Sequence, residues 1–300
     1  MQNADRTAGK FARATEPNVD LRYGGSRQVF GRWVSTPGAF IAFIDWRPQA
    51  CRMSDNVSVP RSVSRPLRQK TVGILGGISN QATGEYYRLL NNRLNAALGG
   101  WDNGEIIIVS VNFGNIEHFV RNDQWKHAEA YLSAKIDALE RAGADVIICV
   151  SNTMHRVVEP IMESRSTSFI HIADPTGQAI SKAGLRKVGL LGTMPVMRST
   201  ALRERFHDRY GVDLIVPDDH DAAIVDAIIF DELVRGQLKA SSKSTYLAII
   251  AKLRDAGAEG LILGCTEIFL LVDQPDLPGF PVFDTASLHV EAAAQFAQSG

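Results

Sequence analysis

From Lys70 onward the chain alternates between two hydrophobic periods. Short apolar runs bounded by Gly, Asp or Pro read as buried strands over residues 71–77, 106–111, 145–150, 169–172, 187–191, 213–216, 260–263 and 281–283. Between them lie segments in which apolar residues recur three and four positions apart, the period of a helix with one buried face. These predict helices over 83–98, 128–142, 157–163, 176–183, 199–210, 221–235, 245–256 and 289–298; in 128–142, Leu132, Ile136 and Leu139 share one face. Strands alternating with helices imply an α/β fold built on doubly wound parallel sheets. Residues 1–69 show neither period.

The pattern also repeats. Leu139-Glu140-Arg141-Ala142-Gly143-Ala144-Asp145 matches Leu253-Arg254-Asp255-Ala256-Gly257-Ala258-Glu259 at an offset of 114, which also sets Ser151-Asn152-Thr153 against Cys265-Thr266-Glu267. The run Val72-Gly73-Ile74-Leu75-Gly76 matches Val188-Gly189-Leu190-Leu191-Gly192 at an offset of 116. The body therefore reads as two copies of one α/β unit. The expected organisation is an N-terminal domain of 70–174 plus 287–300 and a C-terminal domain of 175–286. Two such units facing each other bring the C-terminal ends of both sheets to one cleft, where open α/β sheets bind ligands.

Composition narrows the classes. Apolar residues make up 45% and charged residues 22% of the 300, an ordinary globular balance rather than that of a disordered or fibrous chain. No apolar run approaches the roughly 18 residues of a membrane span. Cys51, Cys149 and Cys265 are too few and too scattered for a disulfide framework or a zinc site, so the expected compartment is the cytoplasm. Charge is uneven: residues 1–69 carry 11 Lys+Arg against 5 Asp+Glu, and ten of the 11 are Arg, whereas 70–300 carry 21 against 28. The arginines are scattered rather than blocked, so neither nucleic acid nor membrane is an expected partner. Residues 1–69 suit a disordered extension, an upstream stretch preceding a start at Met53, or an Arg-rich transit peptide. Gly76-Gly77 lacks the spacing of a dinucleotide fingerprint, so NAD is not expected.

Ser151 and Cys265, equivalent in the repeat, each follow a buried strand and precede a helix. Groups there sit beside N-terminal amides that attract a carboxylate. Two proton-handling groups on opposite walls of one cleft suit inversion of a carbon: one removes a proton and the other supplies one to the opposite face. A thiolate suits the removal, and helix amides lower a cysteine pKa from its reference of about 8.5.

These residues carry a resemblance. Leu75-Gly76-Gly77-Ile78-Ser79, Ser151-Asn152-Thr153-Met154-His155 and Gly264-Cys265-Thr266-Glu267-Ile268, with Val282-Phe283-Asp284-Thr285 before the closing helix, resemble the aspartate/glutamate racemase family over roughly residues 70–298. The resemblance implies a cofactor-independent isomerase of two pseudo-symmetric α/β domains, a homodimer, acting on a small amino acid with no metal. It assigns catalysis to Cys265 and Ser151, with Cys265 taking the proton of the L enantiomer. It assigns substrate contacts to Ile78, Ser79, Asn152, Thr153, Thr193, Thr266 and Glu267, and gives Arg121 to a carboxylate, which a guanidinium holds bidentately. Most members carry Cys where this chain has Ser151, and the broad-specificity L-aspartate/glutamate branch, which this chain resembles, has Thr. Members specific for acidic substrates use a basic residue in the second domain; residues 224–230 contain no Lys or Arg, so a neutral amino acid stands beside aspartate and glutamate.

Each assignment has a plainer counterpart. A cysteine after a strand is commonly a small buried hydrophobe, the reading given to Cys149, whose repeat mate is Leu263. Serine before a helix is an N-cap. His155 reads as structural, Glu267 and Asp284 as capping acids, and Arg121 as a solvated surface group. A Ser151–His155 nucleophilic pair lacks the Gly-x-Ser-x-Gly context. Three rival functions remain: a single-cysteine decarboxylase or isomerase of the same superfamily, an amino-acid-binding protein without turnover, and a structural subunit.

Overall fold

The computed structural model describes residues 34–36, 39–41 and 69–299. The expectations for residues 1–69 fall outside these, apart from Gln69 and two short strands, β1 (Val34–Thr36) and β2 (Ala39–Ile41), which pair antiparallel with Val34 opposite Ile41. Strands of three residues are too short to print a period on the sequence, which is why none was read there.

The remaining elements follow in order: β3 (Val72–Gly76), α1 (Asn80–Leu98), β4 (Ile106–Ser110), α2 (Phe113–Arg121), α3 (Trp125–Arg141), β5 (Val146–Cys149), α4 (His155–Glu163), β6 (Ser168–Phe169), α5 (Ala173–Lys182), β7 (Lys187–Gly192), α6 (Met194–Met197), α7 (Thr200–Tyr210), β8 (Asp213–Ile215), α8 (Asp219–Asp231), α9 (Ala240–Asp255), β9 (Leu261–Gly264), β10 (Val282–Asp284) and α10 (Thr285–Gln298). Two four-stranded parallel sheets result, β4-β3-β5-β6 and β8-β7-β9-β10. The strand order is the same in both when each half is read from its first strand. Leu75 stands opposite Cys149 in one sheet, and Leu191 opposite Leu263 in the other. The repeat read from the sequence is thus a repeat of topology and register.

Strand alternation explains why both faces of each sheet are covered. In the first sheet, Leu75, Ile147 and Cys149 point into a cluster with residues of α3 and α4, among them Leu132, Ile136 and Val158. Ile74, Val146 and Ile148 point the other way, against Tyr86, Leu90 and Leu94 of α1 and the small residues Ala286, Ala293 and Ala297 of α10. In the second sheet, Leu191, Leu261 and Leu263 pack on α8 and α9, and Val188, Leu190 and Ile262 on α5 and α7. Each such fully buried aliphatic side chain contributes about 1.5–3 kcal/mol of transfer free energy. Among the described residues no helix is long and apolar enough to cross a membrane.

The predicted helices and strands from 70 onward are all present, with shifted ends. Two helices were not predicted, α2 and the four-residue α6. In α2 only Ile116 is fully buried, with Phe113, Phe119 and Val120 partly buried against the core cluster of α3 and α4.

Candidate active site

The C-terminal ends of β3, β5, β7 and β9 converge on one cleft. The turn after β3 is shaped by its backbone. Gly77 has φ +79, and a Cβ there would sit 2.2 Å from the carbonyl oxygen of Val111, so only glycine fits. Ser79 holds φ 113, a costly conformation for a residue with a side chain. Its hydroxyl caps α1 by accepting the N–H of Ala82 at 3.2 Å and donates to Glu267, so the strained residue ties the first half of the chain to the second.

Glu267 is the hub of the second wall. It is buried, and besides Ser79 it accepts from the Cys265 thiol at 3.1 Å and from the Thr266 hydroxyl at 2.9 Å. The thiol therefore points at a carboxylate. Burial pushes the Cys265 pKa well above its ordinary value, and the negative field of Glu267 pushes it further in the same direction. This corrects the expectation of a thiol acidified by helix amides. The segment after Cys265 is a turn leading into a single 3-10 turn, Ile268–Leu270, not an α-helix, and the nearest charge is negative.

Ser151 occupies the equivalent turn after β5. Its hydroxyl accepts the N–H of Met154 at 3.3 Å, the geometry of a cap at the entrance to α4. His155 does not reach that hydroxyl. Its Nδ1 lies 2.7 Å from the Ser151 carbonyl oxygen and its Nε2 accepts the N–H of Ile172 at 3.1 Å, which fixes a neutral ring with the proton on Nδ1. Burial holds the His155 pKa well below its ordinary value. The Ser151–His155 nucleophilic pair is thus not formed, and His155 has the structural part read for it. Cys149 lies fully buried in the core, and burial raises its pKa.

Two further bonds stitch the halves together at the cleft. Asn152 Nδ2 donates to Thr285 Oγ1 at 3.1 Å, and the Thr153 and Thr193 hydroxyls meet at 2.8 Å. Among the described residues no acceptor takes the backbone N–H of Asn152 or Thr153. Ile78, Ser151, Asn152, Thr153, Thr193, Cys265, Thr266 and Glu267 line the cleft; Ser79 stands behind Glu267. Arg121 is not among the lining residues. It pairs with Glu117, lies 5.3 Å from the centre of the Phe230 ring and is largely exposed. Asp284 caps α10 through the N–H groups of Ala286 and Ser287.

The rest of the lining was not read from the sequence. Phe113, Ile116, Glu117 and Val120 come from α2, Ile229 and Phe230 from α8, and Val234 from the following 3-10 turn. The α2 set carries the i, i+3, i+4, i+7 spacing of one helical face, which was the available signal. Among the described residues no group of His, Cys, Asp and Glu is arranged to hold a metal ion.

A pair of duplicated parallel sheets whose equivalent turns, one bearing a thiol and one a hydroxyl, line a single cleft defines a class of two-lobed α/β proteins with the site between the repeats. Known proteins give that class its family. The profile of the Asp/Glu/Hydantoin racemase family matches residues 75–293, and the chain belongs to that family. It is similar to a crystal structure from Yersinia pestis of a proposed Asp/Glu racemase, at 40% identity and TM-score 0.70, covering 77% of this chain and 100% of that one. It is also similar to an aspartate racemase homologue from Pyrococcus horikoshii, at 33% identity and TM-score 0.65, with coverage of 77% and 100%. The Picrophilus torridus aspartate racemase shares the fold at 21% identity and TM-score 0.60, over 75% of this chain and 94% of that one.

Proposed function

We propose that the chain is a cofactor-independent amino-acid racemase in which Cys265 and Ser151 serve opposite faces of one α-carbon. The observation that carries this reading is the convergence of two repeat-equivalent turns on one cleft, each bringing a group able to move a proton. The substrate carboxylate is held by the N–H groups of Asn152 and Thr153 at the entrance to α4, which also stabilise the charge that develops when the α-proton leaves. The thiol donates to Glu267, so Glu267 is the group placed to take its proton once the substrate is bound, against a thiol pKa that burial raises. The thiolate then takes the α-hydrogen, and the carbon's electron pair collects a proton from the Ser151 hydroxyl, which water resupplies. In the opposite direction Ser151 must act as the base. Among the described residues its hydroxyl has only the Met154 N–H as partner, so nothing assists its deprotonation.

Proton NMR in D2O tests this, with enzyme added to each common L-amino acid. Loss of the α-hydrogen signal with appearance of the D enantiomer is the expected result. Exchange without inversion would leave Cys265 as the working group and remove Ser151 from the mechanism. Evolution of CO2 instead would favour the decarboxylase reading, and binding without exchange the amino-acid-binding protein. A cytoplasmic location and a homodimer complete the reading. Free Cys149 and Cys265 support the first, the family resemblance suggests the second, and light scattering on the full chain reads the oligomeric state.

A further inference from the structure

The cleft's side-chain compartment is of the wrong chemistry for an acidic substrate. On the racemase reading, one end of the substrate is fixed at Ser151, Asn152 and Cys265. The space left is walled by Phe113, Ile116 and Val120 of α2 and by Ile229, Phe230 and Val234 at the end of α8 and in the turn beyond it. The lining contains no Lys, Arg or His, and its charged groups are the carboxylates of Glu117 and Glu267. Arg121, the cation one turn from Glu117, is already occupied: it pairs with that carboxylate and lies over the Phe230 ring, outside the lining. A second substrate carboxylate in this compartment would lose water and meet apolar walls, and the neighbouring cation, Arg121, is already paired with Glu117. An aliphatic or aromatic side chain would bury its own surface against the same walls.

We infer that the substrates are α-amino acids with apolar side chains, with α2 and the end of α8 as the specificity-determining walls. The inference rests on the racemase reading for the reaction, but its test separates the two.

The full chain is given L-leucine, L-methionine, L-phenylalanine, L-aspartate and L-glutamate in D2O, and α-hydrogen exchange is followed. A kcat/KM for an apolar substrate exceeding that for aspartate by about tenfold or more is expected, the range a methylene or two contributes in an apolar pocket. Exchange faster on aspartate or glutamate overturns the inference and leaves the racemase reading standing. If no amino acid exchanges, the racemase reading fails, and calorimetric binding of the same five decides the inference: tighter binding of the apolar three supports it, while tighter acidic binding or none overturns it. In a parallel arm, exchange of L-5-isobutylhydantoin but not leucine supports the apolar compartment and overturns the amino-acid reading. Val234→Lys puts a cation into the wall and is expected to lower the leucine rate about tenfold while raising that on aspartate. Val120→Lys, from the facing helix, repeats the test should the first variant not fold; a leucine-to-aspartate ratio unchanged in a folded variant overturns the assignment of the walls.

Discussion

At the scale of single residues, the proposed chemistry turns on one contact, the Cys265 thiol donating to the Glu267 carboxylate. General acid–base groups contribute about 10²–10⁴-fold, and Cys265→Ala is expected to lower exchange by at least that much in both directions. Glu267→Gln has opposed effects. Removing the charge lowers the thiol pKa, but the proton acceptor is lost. The expected result is a kcat about 10²-fold lower that climbs with pH, because the thiol must then ionise into bulk water; a flat pH–rate profile would show that Glu267 never takes the proton. Ser151→Ala should abolish inversion of the L enantiomer while α-hydrogen exchange with retention continues. In the wild type, kcat should be larger from the L side, where the thiolate is the base, than from the D side, where the unassisted hydroxyl must be. KM must shift in step, since kcat/KM is the same for enantiomers of equal free energy. A faster D-side kcat would reverse the assignment of the two faces.

At the scale of elements, the turns after β3 and β5 matter more than the helices that follow them. The turn after β3 is pinned at Gly77 by the approach of Val111 and strained at Ser79, and it delivers one of the donors that hold Glu267. Gly77→Ala brings a forbidden contact as well as an unfavourable φ and is expected to cost at least about 1–3 kcal/mol of stability, read by denaturant unfolding. Most elements were legible because their hydrophobic periods reach the core, as in β5, buried at every position, or α3 with Leu132, Ile136 and Leu139. Helix α2 was missed although Phe113, Ile116 and Val120 have helical spacing; they pack against the core cluster of α3 and α4 and line the cleft as well. A stripe over Phe113, Ile116 and Val120 is the same sequence signal whether it meets a sheet or a substrate.

At the scale of the whole molecule, three buried histidines lie where the first sheet, α10 and the segment before α5 meet. The rings of His155 and His171 are 4.4 Å apart at their centres, and those of His155 and His289 5.9 Å. Every ring is neutral and engaged: His171 Nδ1 accepts the N–H of Ala173, and His289 takes the Tyr86 hydroxyl on Nδ1 while facing the Ile170 carbonyl with Nε2. Burial lowers the pKa of His289 to about 4 and that of His171 to about 2. The unfolded chain protonates these rings near pH 6.5 and the folded chain does not, so their stabilisation is complete above pH 6.5 and is lost as pH falls. For His289 the loss runs from about pH 6.5 to 4 and amounts to about 3 kcal/mol. Thermal unfolding should therefore show Tm falling through this window, and His289→Gln should flatten the fall.

The sequence alone determined the duplication, the parallel α/β class and the equivalence of Ser151 with Cys265, because these rest on local period and spacing, which the chain carries in one dimension. The tertiary structure decided what those positions face. That Cys265 meets Glu267, that Ser79 reaches across 188 residues to hold the same carboxylate, and that Arg121 is paired away from the cleft all depend on how the halves meet. A pKa is set by burial and by neighbouring charge, and neither is a property of sequence spacing. The thiol expected to be acidified is instead raised for that reason.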